Sequence, residues 1–304
     1  MLFGAFFYPF SSDTIDMDTF KDNARWAFLK AFTEKDCDRF SFIKEFLELV
    51  AIPFSVLHID DKKHFYIQFN KASYTPMFNI KTVIAHYDRD ENSPGANDNS
   101  ASVFQLIDWA RQLSTSIDLH NVRIILTDGE EIGSAKEQGA YGIASVFNRL
   151  GIKSDSVYVL DGCGRGEVLV VSSTGKNAPG NSQFRKKFSS LYEESIALAR
   201  AVAPESWITV PVPYSDNAGF IAAGIPAIAL TVLPKDEATA YMRTLQKERK
   251  FEKEVLAQRA DKTKLPKTWN LMHSEGDTIE SLTDESFELV ASFLDALAKH
   301  KSIA

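Results

Sequence analysis

Three apolar runs that each close on an acid or a histidine constrain this chain most: Val83-Ile84-Ala85 before His86, residues 122–127 before Asp128-Gly129-Glu130-Glu131, and residues 156–160 before Asp161. Short runs rich in Val, Ile and Leu read as buried strands. Helix-period stretches separate them, among them SASVFQLIDWARQL after Asp98. Strands alternating with helices argue an α/β fold, a sheet with parallel segments and helices on both faces. Ligands of such sheets gather at the C-terminal strand edges, which is where these polar residues fall.

Each of them has a bland reading beside a chemical one. Asp98 lies in the Gly/Asn-rich GANDN loop that enters a helix, where a carboxylate either caps the N-terminus or faces a cation. Glu130 and Glu131 form a solvated acidic turn or a pair that divides labour, because neighbours on an extended chain point opposite ways. One acid would then bind a metal while the other faces a water whose pKa the metal lowers. Asp161-Gly162 reads as a strand-end turn or as a further ligand position. Asp88, two residues past His86, is placed to accept the second ring N–H of that imidazole and fix its tautomer. Together with His273 far downstream, these residues form a candidate metal site with its own general base.

In order along the chain, AHYD, GANDNSA, DGEEIG, VLDG, SDNAGFIAAGIPA and HSEGDTIESL resemble the co-catalytic zinc aminopeptidase family, which also contains glutaminyl cyclases and non-catalytic receptor ectodomains. The likeness spans roughly residues 39–300. It implies a three-layer α/β/α sandwich around a mixed, largely parallel sheet, the zinc-exopeptidase fold. It implies that His86 and Asp161 hold one zinc, that Glu131 and His273 hold the other, and that Asp98 bridges both. Glu130 matches the general base, Asp88 the carboxylate behind His86, and Asp98-Asn99 a cis peptide. Imidazole and carboxylate without thiolate suit zinc, with cobalt or manganese as substitutes. The implied activity is removal of the N-terminal residue from a peptide or small aminoacyl substrate. Two alternatives share the fold: a glutaminyl-peptide cyclase working with one zinc, and a silent binding domain, against which the intact ligands and Glu130 argue.

The chain departs from that pattern twice. Ser215-Asp216-Asn217 stands where Ser-Asp-His is common, and Ser274-Glu275-Gly276-Asp277 replaces a pattern of small residues and proline. The second departure adds an acid near the expected pocket mouth, which would favour basic or amine-bearing substrates.

With 304 residues, 44% hydrophobic and 25% charged, the chain can bury one large α/β core as a single domain. A formal net charge of -7 argues against a nucleic-acid partner. Two cysteines, Cys37 and Cys163, are too few for a disulfide framework and fit a reducing compartment. Cys163, two residues after Asp161, reads as a buried filler ahead of a ligand. The apolar start MLFGAFFYPFSS lacks the basic and long apolar regions of a signal peptide, and no run reaches transmembrane length. The expected location is therefore the cytoplasm, with no membrane partner, and oligomeric state is not readable.

Residues 1–38 are expected to form a helical extension on the catalytic domain, FSFIKEFLELV an amphipathic helix with AIPFSV as its exit, and HFYIQF a strand. Residues 182–203 and 284–300 carry helical periodicity. Residues 235–267 are locally basic in a helix-favouring run, open to two readings: a solvated surface helix, or a lid or dimer element. His58, His64, His120 and His300 have no carboxylate or ligand at useful spacing. Tyr141, Tyr214, Phe220 and Trp269 are divided between core and specificity pocket.

Overall fold

The computed structural model describes residues 17–152 and 155–303. The elements begin with helices α1 (Met17–Phe32) and α2 (Arg39–Leu49) and strands β1 (Phe54–Ile59), β2 (Lys62–Ile67) and β3 (Lys81–His86). They continue through α3 (Ala101–Thr115), β4 (Val122–Thr127), α4 (Gly139–Leu150), β5 (Ser156–Leu160), β6 (Val168–Ser172), α5 (Ser182–Val202) and β7 (Trp207–Val210). Last come α6 (Asn217–Ala222), β8 (Ala227–Leu233), α7 (Lys235–Lys247), α8 (Phe251–Leu256), α9 (Lys267–Leu271) and α10 (Asp284–Lys299).

The eight strands form one mixed sheet in the order β1-β2-β4-β3-β5-β8-β6-β7. Its centre, β4-β3-β5-β8, is parallel throughout, and the antiparallel pairings are β1/β2, β2/β4 and β6/β8. Alternation along the strands divides the apolar side chains between two faces. Val83, Ala85, Ile124, Leu126, Tyr158 and Leu160 pack with Phe28 of α1, Ile43 of α2, Leu106 of α3, Phe188 of α5 and Phe293 of α10. Ile84, Ile125, Val157 and Val159 pack on the other face with Ile143 of α4, Phe220 of α6, Tyr241 of α7 and Val255 of α8. Each fully buried Val, Leu, Ile or Phe among them contributes about 1.5–3 kcal/mol, and the outcome is the three-layer sandwich that the family resemblance implied.

Local chemistry sets the helix ends. Asp38 accepts Ser41 N–H to start α2, Asn181 accepts Phe184 N–H to start α5, and α4 stops at Gly151 in the left-handed region (φ 71). At Gly219 a Cβ would lie 2.5 Å from Tyr141 N, so glycine lets α6 lie directly against α4.

One segment differs from its sequence reading. AIPFSV does not simply leave α2: Phe54–Ile59 pairs with Lys62–Ile67 as a hairpin turned at Asp60-Asp61, with Asp60 at φ 54. β1 is an edge strand with no fully buried position, so it lacks the alternation that would have marked it. The first 16 residues of the predicted N-terminal extension lie outside the described residues, and α1 follows them. No helix among the described residues is long and apolar enough to cross a membrane.

Candidate metal centre

Because β4, β3 and β5 are adjacent and parallel, their C-terminal ends meet at one edge of the sheet. His86 is the last residue of β3 and fully buried. Asp88 follows on the departing loop; its Oδ2 accepts Glu131 N–H at 3.0 Å, and its Oδ1 lies 3.6 Å from His86 Nδ1, an ion-pair contact longer than a hydrogen bond. Asp98 occupies an irregular turn before α3, and the Asp98-Asn99 peptide is cis. Its carboxylate caps nothing. Oδ1 lies 3.2 Å from His86 Nε2, and Oδ2 lies 3.1 Å from His273 Nε2.

The remaining candidates converge on these atoms. Glu131 Oε2 is 3.0 Å from His273 Nε2, and Asp161 Oδ2 is 3.9 Å from His86 Nε2. His86, Asp98 and Asp161 form one group of donor atoms within 4.8 Å of one another, and Asp98, Glu131 and His273 form a second. Glu130 joins His86 and Glu131 in a third. All seven residues singled out from the sequence therefore come together.

The donors fit a divalent cation on three counts. Nε2 of His86, the nitrogen that faces Asp98 and Asp161, and Oε1 of Glu131 are buried without a hydrogen-bond partner among the described residues, a state buried polar atoms rarely hold. Separations of 3.0–3.9 Å bracket the edge of a tetrahedron with zinc–ligand bonds of about 2.1 Å, which is roughly 3.4 Å. The charges point the same way. Burial and the Asp98 carboxylate push Asp161 up to about 7, against the pull of His86. Burial raises Glu130 well above the usual carboxylate range; His86 opposes this, and Asp161, Asp216 and Asp98 add to it. Hydrogen bonds with Asp98 and Glu131 push His273 up to about 11. Burial penalises charged His86, yet the Asp88 and Asp98 carboxylates outweigh it and hold the imidazole well above its ordinary value. Positive charge is what this cluster of acids lacks.

A cavity of about 860 Å³ opens above the cluster, with Asp98, Glu130, Glu131, Asp161 and His273 in its lining. Its walls include Val212, Tyr214, Ile221, Val255, Leu265 and Trp269. Of the four aromatic candidates, Tyr214 and Trp269 line the cavity and Phe220 is core. Residues 235–267 carry α7 and α8, anchored by Ala238, Tyr241, Phe251 and Val255 in the second core, and Val255, Ala260, Lys262 and Leu265 form part of the cavity wall.

Some readings change. Glu275 is exposed, Asp277 is 1% exposed, and neither lines the cavity; the carboxylate of Asp277 accepts the backbone N–H groups of Asn97 (2.8 Å) and Asp98 (3.0 Å). Of the two acids in the second departure, Asp277 therefore turns inward, while Glu275 is exposed beside Ser274, which lines the cavity. Asn217 is buried, and its Oδ1 accepts Ser215 N–H at 3.0 Å, so the first departure also turns inward. Cys163 is a buried filler whose thiol donates to Leu230 O at 3.2 Å. His300 does have a carboxylate, Glu194, at 2.9 Å. Two residues near the centre were given no role from the sequence, although Asp216 lies in one of the matched motifs. Gln138 Nε2 donates to Glu130 Oε1 at 3.0 Å. Asp216 is fully buried, accepts the Thr127 hydroxyl, and is raised to about 6 by burial, with His86 and Thr127 opposing.

The sequence profile of peptidase family M28 matches residues 73–297. The chain belongs to this family. No curated protein matches the chain in sequence. Among solved structures it resembles the LapA aminopeptidase of Legionella pneumophila, with 14% identity over 96% of this chain and 76% of that one, at a TM-score of 0.63. It also resembles a glutaminyl cyclase of Tannerella forsythia (15% identity, 92% and 98% covered, TM-score 0.58). A third likeness is to BSAP, a zinc aminopeptidase from Bacillus subtilis (19%, 77% and 48%, TM-score 0.52). The M28 chain spans about half the length of the Bacillus subtilis enzyme. At these identities the likeness establishes the fold alone.

Proposed function

We propose that this M28 chain is an aminopeptidase that hydrolyses the N-terminal residue from peptides with the help of two zinc ions. The observation that carries this reading is Asp98, whose two carboxylate oxygens each face a different imidazole, at 3.2 and 3.1 Å. That arrangement suits one carboxylate shared by two cations. His86 and Asp161 would hold one ion, Glu131 and His273 the other, and cobalt or manganese would suit the same donors. Bound there, the ions would polarise the scissile carbonyl and lower the pKa of the attacking water.

The side chains do the rest. Glu130 takes the water's proton and delivers it to the leaving amine; its raised proton affinity suits a group that must hold a proton between two steps. Gln138 fixes the orientation of that carboxylate. Asp88 stands behind His86 and holds the Glu131 backbone, so one carboxylate orients two donors. The apolar cavity wall takes the first side chain of the substrate, and the carboxylate-rich floor meets its free α-amine, which confines cleavage to the first peptide bond.

Glutaminyl cyclase activity is the second reading, because the Tannerella forsythia cyclase overlaps the chain over nearly its whole length. Purified protein with added zinc would be assayed on N-terminally free and N-acetylated aminoacyl reporters, on N-terminal glutamine peptides, and with Glu130→Gln as control. Cleavage of free substrates only, abolished in the variant, supports the aminopeptidase. Cyclisation without cleavage, with one zinc per chain, overturns it.

A further inference from the structure

Asp98 can face both histidines only if the backbone of residues 94–99 holds one shape. That stretch is a loop, with Gly95 in the left-handed region (φ 64) and α3 starting after it. Two buried charged side chains hold it. The first is Arg39, in the first turn of α2 and 6% exposed. Its Nη2 donates to Pro94 O (2.9 Å), Gly95 O (3.3 Å) and Ser100 Oγ (2.9 Å). Its Nη1 donates to Tyr87 O (3.0 Å) and Asp88 O (3.3 Å), on the strand exit that follows His86. The Phe32 ring lies 4.4 Å from the guanidinium carbon. The second is Asp277, whose carboxylate accepts the N–H groups of Asn97 and Asp98 and whose carbonyl accepts Ala96 N–H at 3.1 Å.

Neither side chain forms an ion pair with another described residue. Burying a charge without a counter-charge is costly unless its hydrogen bonds are met. Here the anion is met by amides of the Asp98 loop, and the cation by carbonyls of that loop and of the strand exit at Tyr87 and Asp88, with the Ser100 hydroxyl as a further acceptor. A return contact supports the same joint. Arg89, on the loop after β3, donates to the carbonyls of Thr33 (3.1 Å), Glu34 (3.0 Å) and Lys35 (2.7 Å) just past α1. The N-terminal helices and the Asp98 loop thus hold each other through exchanged arginines.

We infer that Arg39 and Asp277 are paired positioning residues that set Asp98 between the two cations, and that α1 and α2 are therefore part of the metal centre. Arg39 lies outside residues 73–297, the span that matches the family. The inference rests on reading Asp98 as the shared ligand.

The test measures zinc affinity and stoichiometry of the full chain by competition with a chromogenic chelator. It compares wild type, Asp277→Asn, Arg39→Lys and Arg39→Met, with thermal unfolding in excess chelator alongside. Asp277→Asn is isosteric, and Arg39→Lys keeps the charge while losing the guanidinium fork, so the test survives if Arg39→Met does not fold. Two zinc ions are expected in wild type, with affinity weakened about 10–100-fold in the variants, as for other residues that orient metal ligands. Peptide hydrolysis should lose kcat with KM little changed. Variants that melt earlier in chelator yet bind zinc as wild type does would make the two residues supports of the fold and overturn the inference alone. A wild-type chain that binds no zinc overturns the shared-ligand reading and this inference with it.

Discussion

His86 and His273 approach the same carboxylate at nearly equal distances, 3.2 and 3.1 Å, yet they are held in opposite ways. His86 closes a central parallel strand, is fully buried, and has Asp88 behind it. His273 stands on a loop, has a side chain 57% exposed, and takes a left-handed backbone (φ 57) that non-glycine residues seldom adopt. One half of the centre is built by the sheet itself, whereas the other is brought to it by a distant segment. Packed strands open only with the whole fold, while exposed loops open locally. The His86 half should therefore be the rigid, slowly exchanging side and the His273 half the side through which metal and substrate come and go.

Glu130 lies where the halves meet and should give the largest effect. Glu130→Gln is expected to lower kcat about 10²–10⁴-fold while metal analysis still finds two zinc ions. Because Glu130 also groups with His86 and Glu131, loss of zinc in this variant would make it a ligand and break the division between the halves. The histidines come next. In chelator, His86→Ala should lower the unfolding free energy by about 3 kcal/mol, since it leaves buried carboxylates unpaired. His273→Ala should cost less, because its own side chain is 57% exposed and solvent screens its pairing with Asp98 and Glu131, and should lose one zinc. Equal costs in denaturant titrations would erase the asymmetry. A milder test is timed removal of zinc by a weak chelator, which should proceed in two phases, the His273 side first. A single phase would sink the distinction.

The smallest effect lies outside both halves. Burial, with help from Lys81, lowers His120 from 6.5 to about 4, and its Nδ1 accepts Val122 N–H at 3.1 Å. The folded state binds this proton less readily than the unfolded state, so its contribution to stability is complete above pH 6.5 and is lost as pH falls toward 4. The His120→Asn melting temperature should fall less over that window than that of wild type. An unchanged slope would mean that other groups carry the acid sensitivity.

Much of this was legible in the chain. The strands ending at His86 and before Asp161 could be placed because burial on both faces leaves continuous apolar runs, and motif order pointed to seven residues that the fold brings together. The hairpin strand β1 was not legible, because an edge strand without a buried face has no period to read. Nor were the roles of Arg39, Gln138, Asp216 and Asp277, whose partners lie as much as 180 residues away in sequence.

The sequence by itself determined the strand-and-helix alternation and the kinds of donor at each strand end, since side-chain period and residue chemistry are local properties. Only the tertiary structure decided which carboxylate oxygen faces which imidazole, and that Asp277 turns inward to hold the Asp98 loop instead of facing substrate. Those outcomes depend on burial and on hydrogen bonds between distant segments, and neither exists until the layers have packed.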